Sequence, residues 1–145
     1  MSSGIKALCV AIGATTLLAC ATGTTRVAPA ALDWDSADER WSIHVVTVDE
    51  DGADRVTRIW MAMHDGDGVF RTNDSRWWAN LSRDARIRVR TNGLDHPFSV
   101  EFVDDAPGRV AIDEVFLQKY GGWEKVMFSQ ARGETHDHYG RLVAD

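Results

Sequence analysis

The sequence has little cysteine. Its 145 residues contain only Cys9 and Cys20, both near the N-terminus. From residue 21 onward no thiol remains, which excludes an internal disulfide and a nucleophilic cysteine there. Stability must come from a hydrophobic core, and 44% hydrophobic residues are enough to build one. The length is typical of a single domain.

The sequence also lacks the motifs of common hydrolases and metal sites. It contains neither a Gly-x-Ser-x-Gly elbow nor a His-Glu-x-x-His helix. His136 and His138 share a strand face but have no clear third ligand. Asp49, Asp51 and Asp54 lack the glutamate of a calcium loop. We therefore expect no metal site, and the catalytic residues stay unidentified.

Positive charge is scarce, since the formal net charge is −6. An acidic domain does not attract nucleic acid through a general field, so no nucleic-acid partner is expected. The arginines at 86, 88 and 90 alternate along one strand face. They predict either a solvated face or the rim of an anionic ligand site.

The first twenty residues lack a hydrophobic run long enough to span a membrane, which takes about 20 residues. Residues 7–19 are mostly apolar, and the segment ends Leu17-Leu18-Ala19-Cys20, which resembles a bacterial lipobox. This predicts a lipoprotein signal peptide over residues 1–19 and acylation of Cys20. The protein is then anchored to the cell envelope, facing the periplasm from the outer membrane if the host has two membranes. The alternative is a plain secretory signal in which Cys20 is incidental.

The rest of the chain reads as a tether and one domain. Residues 20–40 are rich in Ala, Thr and Gly before an acidic run, and predict a lipidated cysteine followed by a flexible tether. Residues 41–145 predict a mainly β domain with short helices (α+β), of about six strands and two or three helices. Asp65-Gly66-Asp67-Gly68 and Asn92-Gly93 are turn signals. The expected strands cover 41–49, 55–64, 69–72, 86–91, 97–103 and 139–143, and the helices cover 76–82, 110–120 and 123–132.

Chemistry-bearing residues concentrate between the third strand and the next helix. Arg71, Thr72, Asn73, Ser75 and Arg76 bring two guanidiniums, two hydroxyls and an amide within six positions. A helix N-terminus there also offers backbone N–H groups, so the segment predicts a phosphate site. The alternative is that the segment caps a helix while its arginines lie in solvent.

Residues 59–81 and 112–121 resemble the pyridoxamine-phosphate-oxidase-like split-barrel superfamily. They are most similar to a bacterial group allied to the nitroreductase/quinone-reductase and deazaflavin-dependent enzymes. The resemblance covers residues 41–145 and implies a small antiparallel split β-barrel, an oxidoreductase activity with FMN or a deazaflavin, and a homodimer. By the same resemblance the residues that bind this small-molecule cofactor are Arg71, Thr72, Asn73, Ser75, Arg76, Trp77 and Asn80.

A second function class remains open at this point. The domain can instead be a non-catalytic envelope lipoprotein, held to the lipid bilayer through Cys20 and acting as a binding or scaffold module. In that case the six tryptophans supply buried area to a small core, rather than walls for a flat ligand.

Overall fold

The structure of the protein, a computed structural model, describes residues 27–28, 31–123, 133 and 135–145. Seven strands and three helices lie in these ranges. They confirm a mainly β, α+β fold, with one strand more than expected. The helix expected over residues 123–132 lies almost wholly outside the described residues, as do Cys20 and the expected signal peptide. The elements are α1 (Trp34–Asp38), β1 (Ile43–Val48), β2 (Asp54–Ile59), β3 (Ala62–His64), β4 (Asp67–Thr72), α2 (Arg76–Arg83), β5 (Arg86–Thr91), β6 (Leu94–Phe102), α3 (Ala106–Tyr120) and β7 (His138–Val143).

All seven strands form one antiparallel sheet in the order β2-β1-β5-β6-β7-β4-β3. The sheet curls into a half-barrel. Its two tightest hairpins carry the expected turn residues: Asp65-Gly66 joins β3 to β4, and Asn92-Gly93 joins β5 to β6. All four residues have positive φ, which Asn, Asp and Gly adopt most readily.

The structure corrects the single strand expected over residues 55–64. The chain leaves β2, at one edge of the sheet, and after Trp60 and Met61 enters β3, at the other edge. The Tyr120 hydroxyl binds both the N–H and the C=O of Met61, and the Lys119 ammonium also donates to that C=O. Where the chain crosses between the two sheet edges, side-chain hydrogen bonds from α3 thus take the place of backbone hydrogen bonds to a neighbouring strand.

The packed domain begins before residue 41, within the segment assigned to the tether. Asp33 caps α1 by accepting from the Ser36 N–H. Leu32 and Ala37 are buried in the core, and Trp34 packs on Phe98 with ring centroids 5.2 Å apart. Burial of these apolar side chains orders a segment whose acidic composition alone indicates flexibility.

Two apolar clusters hold the sheet and helices together. The larger packs α1 and α2 against the sheet, and includes Val45, Phe70 and Leu142. The smaller lies beneath α3 and includes Phe116 and Tyr139. Among the described residues no helix is long and apolar enough to cross a membrane.

Candidate functional site

A cavity of about 430 Å³ opens between the end of β2, the loop after β4, and α3. We call it the aromatic cavity. Its volume lies within the range usual for small-molecule sites. Side chains from widely separated parts of the chain line it: Arg58, Ile59, Trp60, Arg71, Thr72, Asn73, Asp74, Ser75, Trp77, Phe116 and His136.

Three aromatic side chains form the apolar part of this cavity. Trp60 stacks on Tyr120 with centroids 4.7 Å apart and planes at 17°. Trp77 is buried and lies 5.3 Å from Phe70, centroid to centroid. Phe116 is buried on α3. Packing on core neighbours holds these rings in place, so the apolar surface exists without a ligand.

The loop over residues 72–75 forms the polar side. The Thr72 hydroxyl donates to the Asn73 carbonyl at 3.0 Å. The Asn73 Oδ1 atom accepts from the Asp137 N–H at 3.2 Å. Ser75 is the N-cap of α2 and accepts from the Trp78 N–H at 3.3 Å. The expectation that this segment caps a helix is confirmed, and three of its expected ligand residues also line the cavity.

Arg71 is not an open phosphate ligand, contrary to its expected role. Its guanidinium binds the Asp113 carboxylate, and both side chains are 1% exposed. It also donates to the Thr135 hydroxyl at 3.2 Å and lies 4.3 Å from the centre of the Phe116 ring. The negative charge of Asp113 therefore balances the positive charge of Arg71, and the cavity wall at Arg71 is close to neutral.

Asp113 is the centre of a buried hydrogen-bond network. Its carboxylate accepts from the Gly133 N–H, the Thr135 hydroxyl and the Tyr139 hydroxyl, as well as from Arg71. Burial alone raises the pKa of a carboxyl, but the hydrogen bonds from Thr135, Gly133 and Arg71 lower the pKa of Asp113 below its ordinary value. Burial raises the pKa of Tyr139. Asp113 is therefore ionised and Tyr139 neutral at physiological pH.

His136 lines the same cavity and is neutral. Burial, helped by the nearby charge of Arg71, lowers the pKa of His136 to about 4. The expectation that His136 and His138 do not form a metal site stays a prediction. Within the described ranges no group of three potential ligand side chains comes together.

Arg58 carries the exposed positive charge of the aromatic cavity. It is exposed at the end of β2 and has no hydrogen-bond or ion-pair partner in the part of the chain that the structure describes. Sequence reasoning missed this residue. The available signal was the alternation of β2, which places Arg58 on the same face as Val56 and Asp54.

Arg76 and Asn80 lie at a different cavity, of about 400 Å³, beside the β1–β2 turn. The Asn80 amide donates to the Asp49 carboxylate at 2.7 Å and to the Thr47 hydroxyl at 3.0 Å. Hydrogen bonds from Arg55 and Asn80 lower the pKa of Asp49 to about 2. Asn80 thus attaches α2 to the sheet. The structure brings Arg71, Thr72, Asn73, Ser75 and Trp77 together and separates Arg76 and Asn80 from them.

The arginine face of β5 is paired with carboxylates rather than open. Arg86 pairs with Asp84, and Arg88 pairs with Asp54 and Asp95. Arg90 also binds Asp95, at 2.5 Å. A solvated, internally neutralised strand face therefore fits better than the rim of an anion site.

The chain combines a curled antiparallel sheet, which forms a half-barrel, with a cavity between the end of β2, the loop after β4 and α3. The chain belongs to the family described as "Uncharacterized protein conserved in bacteria (DUF2255)", whose model matches residues 33–137. A comparison with curated protein sequences finds no match.

Several solved structures are similar to this chain in fold. Conserved hypothetical protein Rv2991 from Mycobacterium tuberculosis is 21% identical, with a TM-score of 0.59 over 76% of each chain. An F420-H2 dependent reductase is 10% identical, with a TM-score of 0.54 over 71% of this chain and 94% of that one. A Clostridium acetobutylicum protein of the pyridoxinephosphate oxidase family is 16% identical, with a TM-score of 0.54 over 76% of this chain and 79% of that one. At these identities the likeness establishes the fold.

Proposed function

We propose that this protein binds a flat redox cofactor, FMN or a deazaflavin, in the aromatic cavity and acts as an oxidoreductase. One observation carries the proposal: the cavity joins preformed aromatic walls to a polar loop and one exposed arginine. Two solved structures of the same fold are named for an F420-H2 dependent reductase and for the pyridoxinephosphate oxidase family. Their names favour this cofactor class over a scaffold role.

The residues present fit such a cofactor in size and chemistry. A cavity of about 430 Å³ has room for a tricyclic ring and a short tail. The half-buried Trp60 offers an aromatic surface to the ring, and the buried Trp77 and Phe116 support the wall behind it. Arg58, Ser75 and Asn73 offer a guanidinium, a hydroxyl and an amide to an anionic tail. The Thr72 hydroxyl proton is already donated to the Asn73 carbonyl, and the exposed Asp74 carboxylate at the same wall opposes an anion. Arg71 supports the wall but contributes no net charge.

The cofactor would supply hydride or electron transfer, and the protein would supply binding and orientation. The aromatic side chains exclude water from one side of the cavity. The neutral imidazole of His136 and the internally paired Arg71 keep that side free of uncompensated charge. No catalytic side chain is assigned, because the chemistry belongs to the bound group.

We also propose that two copies pair through the outer face of β1 and β2. Val48 and Val56 are 47% and 48% exposed on that face, and no described helix covers them. Arg58 lies on the same face and lines the aromatic cavity. Sedimentation should therefore give a dimer for the wild-type protein and a monomer for Val56→Asp.

The membrane anchor remains part of the proposal. Acylation of Cys20 would hold the domain close to the bilayer, because the seven residues from Cys20 to Val27 span at most about 25 Å. The described chain enters at Val27 and Ala28, beside Asp95 of β6. Cys20→Ser should move the protein from the membrane fraction to the soluble fraction.

The cofactor proposal is tested by titrating the purified protein with FMN and with deazaflavin, following the quenching of ligand fluorescence. Arg58→Ala should weaken FMN binding about tenfold, because a charged hydrogen bond to the phosphate is lost. Riboflavin, which lacks the phosphate, should bind wild type and Arg58→Ala equally.

Arg76→Ala is the matched control. Arg76 is also an exposed arginine, but it lines the other cavity. It should bind FMN like wild type. If neither cofactor binds or raises the melting temperature of the wild-type protein, the non-catalytic alternative replaces this proposal. Equal losses in the two arginine variants would contradict the assigned site.

A further inference from the structure

We propose that His138 is a positioning residue for the aromatic cavity, and that its protonation fastens the loop over residues 72–75. This inference rests on the proposed function for its effect on a ligand. The contact between His138 and the loop belongs to the protein alone and is measurable without any ligand.

His138 is held between a carboxylate and an aromatic ring. Its Nε2 atom lies 2.7 Å from Asp74 Oδ1. Its ring stacks on Trp78 with centroids 4.3 Å apart and planes at 12°. Trp78 also makes a T-shaped contact with Phe102, with centroids 5.2 Å apart. The imidazole therefore has one well-defined position, in contact with both the loop and the first turn of α2.

The loop has a second attachment to the same segment. Asn73 accepts a hydrogen bond from the Asp137 N–H, and Thr72 is the ladder partner of His138 in the pairing of β4 with β7. Asn73 and Asp74 are consecutive lining residues of the cavity, and Asp137 and His138 hold them from outside. Among the described residues, loss of the His138 contact leaves the Asn73 contact as the remaining side-chain hydrogen bond between this loop and residues 137–138.

Protonation strengthens both contacts of His138. An imidazolium adds an ion pair with Asp74 and a cation–π attraction to Trp78, whereas the neutral ring offers a hydrogen bond and a stack. Other charged side chains on the neighbouring elements include Arg71 and Arg141, which pair with Asp113 and Asp67, and Arg76, Glu101 and Asp137. Among the described residues, Asp74 is the carboxylate in ion-pair contact with His138. The loop is thus held more firmly by the imidazolium than by the neutral ring, and a comparison of pH 5.5 with pH 8 tests this.

The expected effect is modest, because Asp74 is 91% exposed at its side chain. Exposed ion pairs change equilibria by about two- to fivefold. His138→Gln should therefore speed amide hydrogen exchange of residues 72–75 about two- to fivefold at pH 5.5, and much less at pH 8. His138→Arg, which keeps a charge at both pH values, should retain the protection at both.

Trp78 reports the same protonation optically, because an imidazolium stacked on an indole quenches its emission. Wild-type emission should fall between pH 8 and pH 5.5, and both His138→Gln and Trp78→Phe should lose this fall. His44→Gln is the matched control, since His44 is exposed on β1 and should leave the titration intact. Unchanged exchange and emission in His138→Gln would overturn the proposal.

Measurement of FMN binding separates this inference from the proposed function. The titration of FMN itself affects both proteins equally, so we compare them by the ratio of the FMN Kd of His138→Gln to that of wild type. It should be about two to five at pH 5.5 and close to one at pH 8. FMN binding with a pH-independent ratio contradicts the effect on the cavity. If FMN does not bind but the exchange effect is present, the proposed function fails while His138 still holds the loop.

Discussion

The buried ion pair of Arg71 and Asp113 predicts that substitutions of its two members lower the free energy of unfolding by different amounts. Both side chains are 1% exposed. Asp113→Ala leaves a buried guanidinium without its carboxylate, and it also removes the acceptor of Gly133, Thr135 and Tyr139. Arg71→Met leaves a carboxylate that keeps those three donors and can take up a proton. The first substitution should therefore be the more damaging.

The magnitudes follow from what each variant leaves buried. Removing one partner of a buried pair costs about 3–5 kcal/mol, which we expect for Asp113→Ala. Arg71→Met should cost about 1–3 kcal/mol, because the remaining carboxylate loses one charged donor. The double variant should cost less than the sum, since the two side chains interact directly.

Urea unfolding measures this ranking. With a slope of about 2 kcal/mol per M, Asp113→Ala should lower the midpoint by about 1.5–2.5 M. Arg86→Ala is the control, because the Arg86–Asp84 pair is largely exposed and should leave the midpoint near that of wild type. A larger loss in Arg71→Met than in Asp113→Ala, or strictly additive losses in the double variant, would refute the reasoning.

Two further predictions concern packing and pH. Gly140→Ala should lower stability by about 1–3 kcal/mol, because a Cβ there would overlap the Phe70 ring. Gly122→Ala, with no atom near its Cβ, should melt like wild type, and equal melting temperatures for both variants would contradict the packing. Burial and the charge of Arg71 lower the pKa of His136 from 6.5 to about 4, so the unfolded chain binds a proton that the folded chain does not. The free energy of unfolding should thus decrease as the pH falls from 6.5 to 4. In urea melts across this range, His136→Gln should lose that part of the slope, and an identical slope in both proteins would contradict a buried neutral imidazole.

Local patterns predicted most of the fold. The alternation of Arg and apolar residues predicts a strand over 86–91, and β5 (Arg86–Thr91) has those bounds. The Asp65-Gly66 and Asn92-Gly93 turns set the register of two hairpins. These features depend on residues close in sequence, so periodicity and turn chemistry are sufficient to find them.

The break between β2 and β3 depends on a distant contact. Periodicity continues through Met61, and nothing local interrupts the strand. The Tyr120 hydroxyl, 59 positions away, takes both backbone groups of Met61. The same limit applies to Arg71, whose partner Asp113 lies 42 positions further along the chain. An arginine beside hydroxyls looks the same in sequence whether its charge is open to a ligand or already matched.

The separation of Arg76 from the aromatic cavity was available in the sequence. In a helix that begins after Ser75, positions four apart share a face, and adjacent positions are about 100° apart. Arg76 and Asn80 therefore share one face, and Trp77 and Leu81 share another. The structure buries Trp77 and Leu81 in the core and Asn80 against the β1–β2 hairpin, while Arg76 stays exposed. Once the helix bounds are accepted, one cavity does not hold both Arg76 and Trp77, whose side chains point about 100° apart. The seven expected ligand residues lie within ten positions of the sequence, but α2 turns two of them toward the β1–β2 hairpin, and Arg58 from β2 supplies the exposed charge at the cavity.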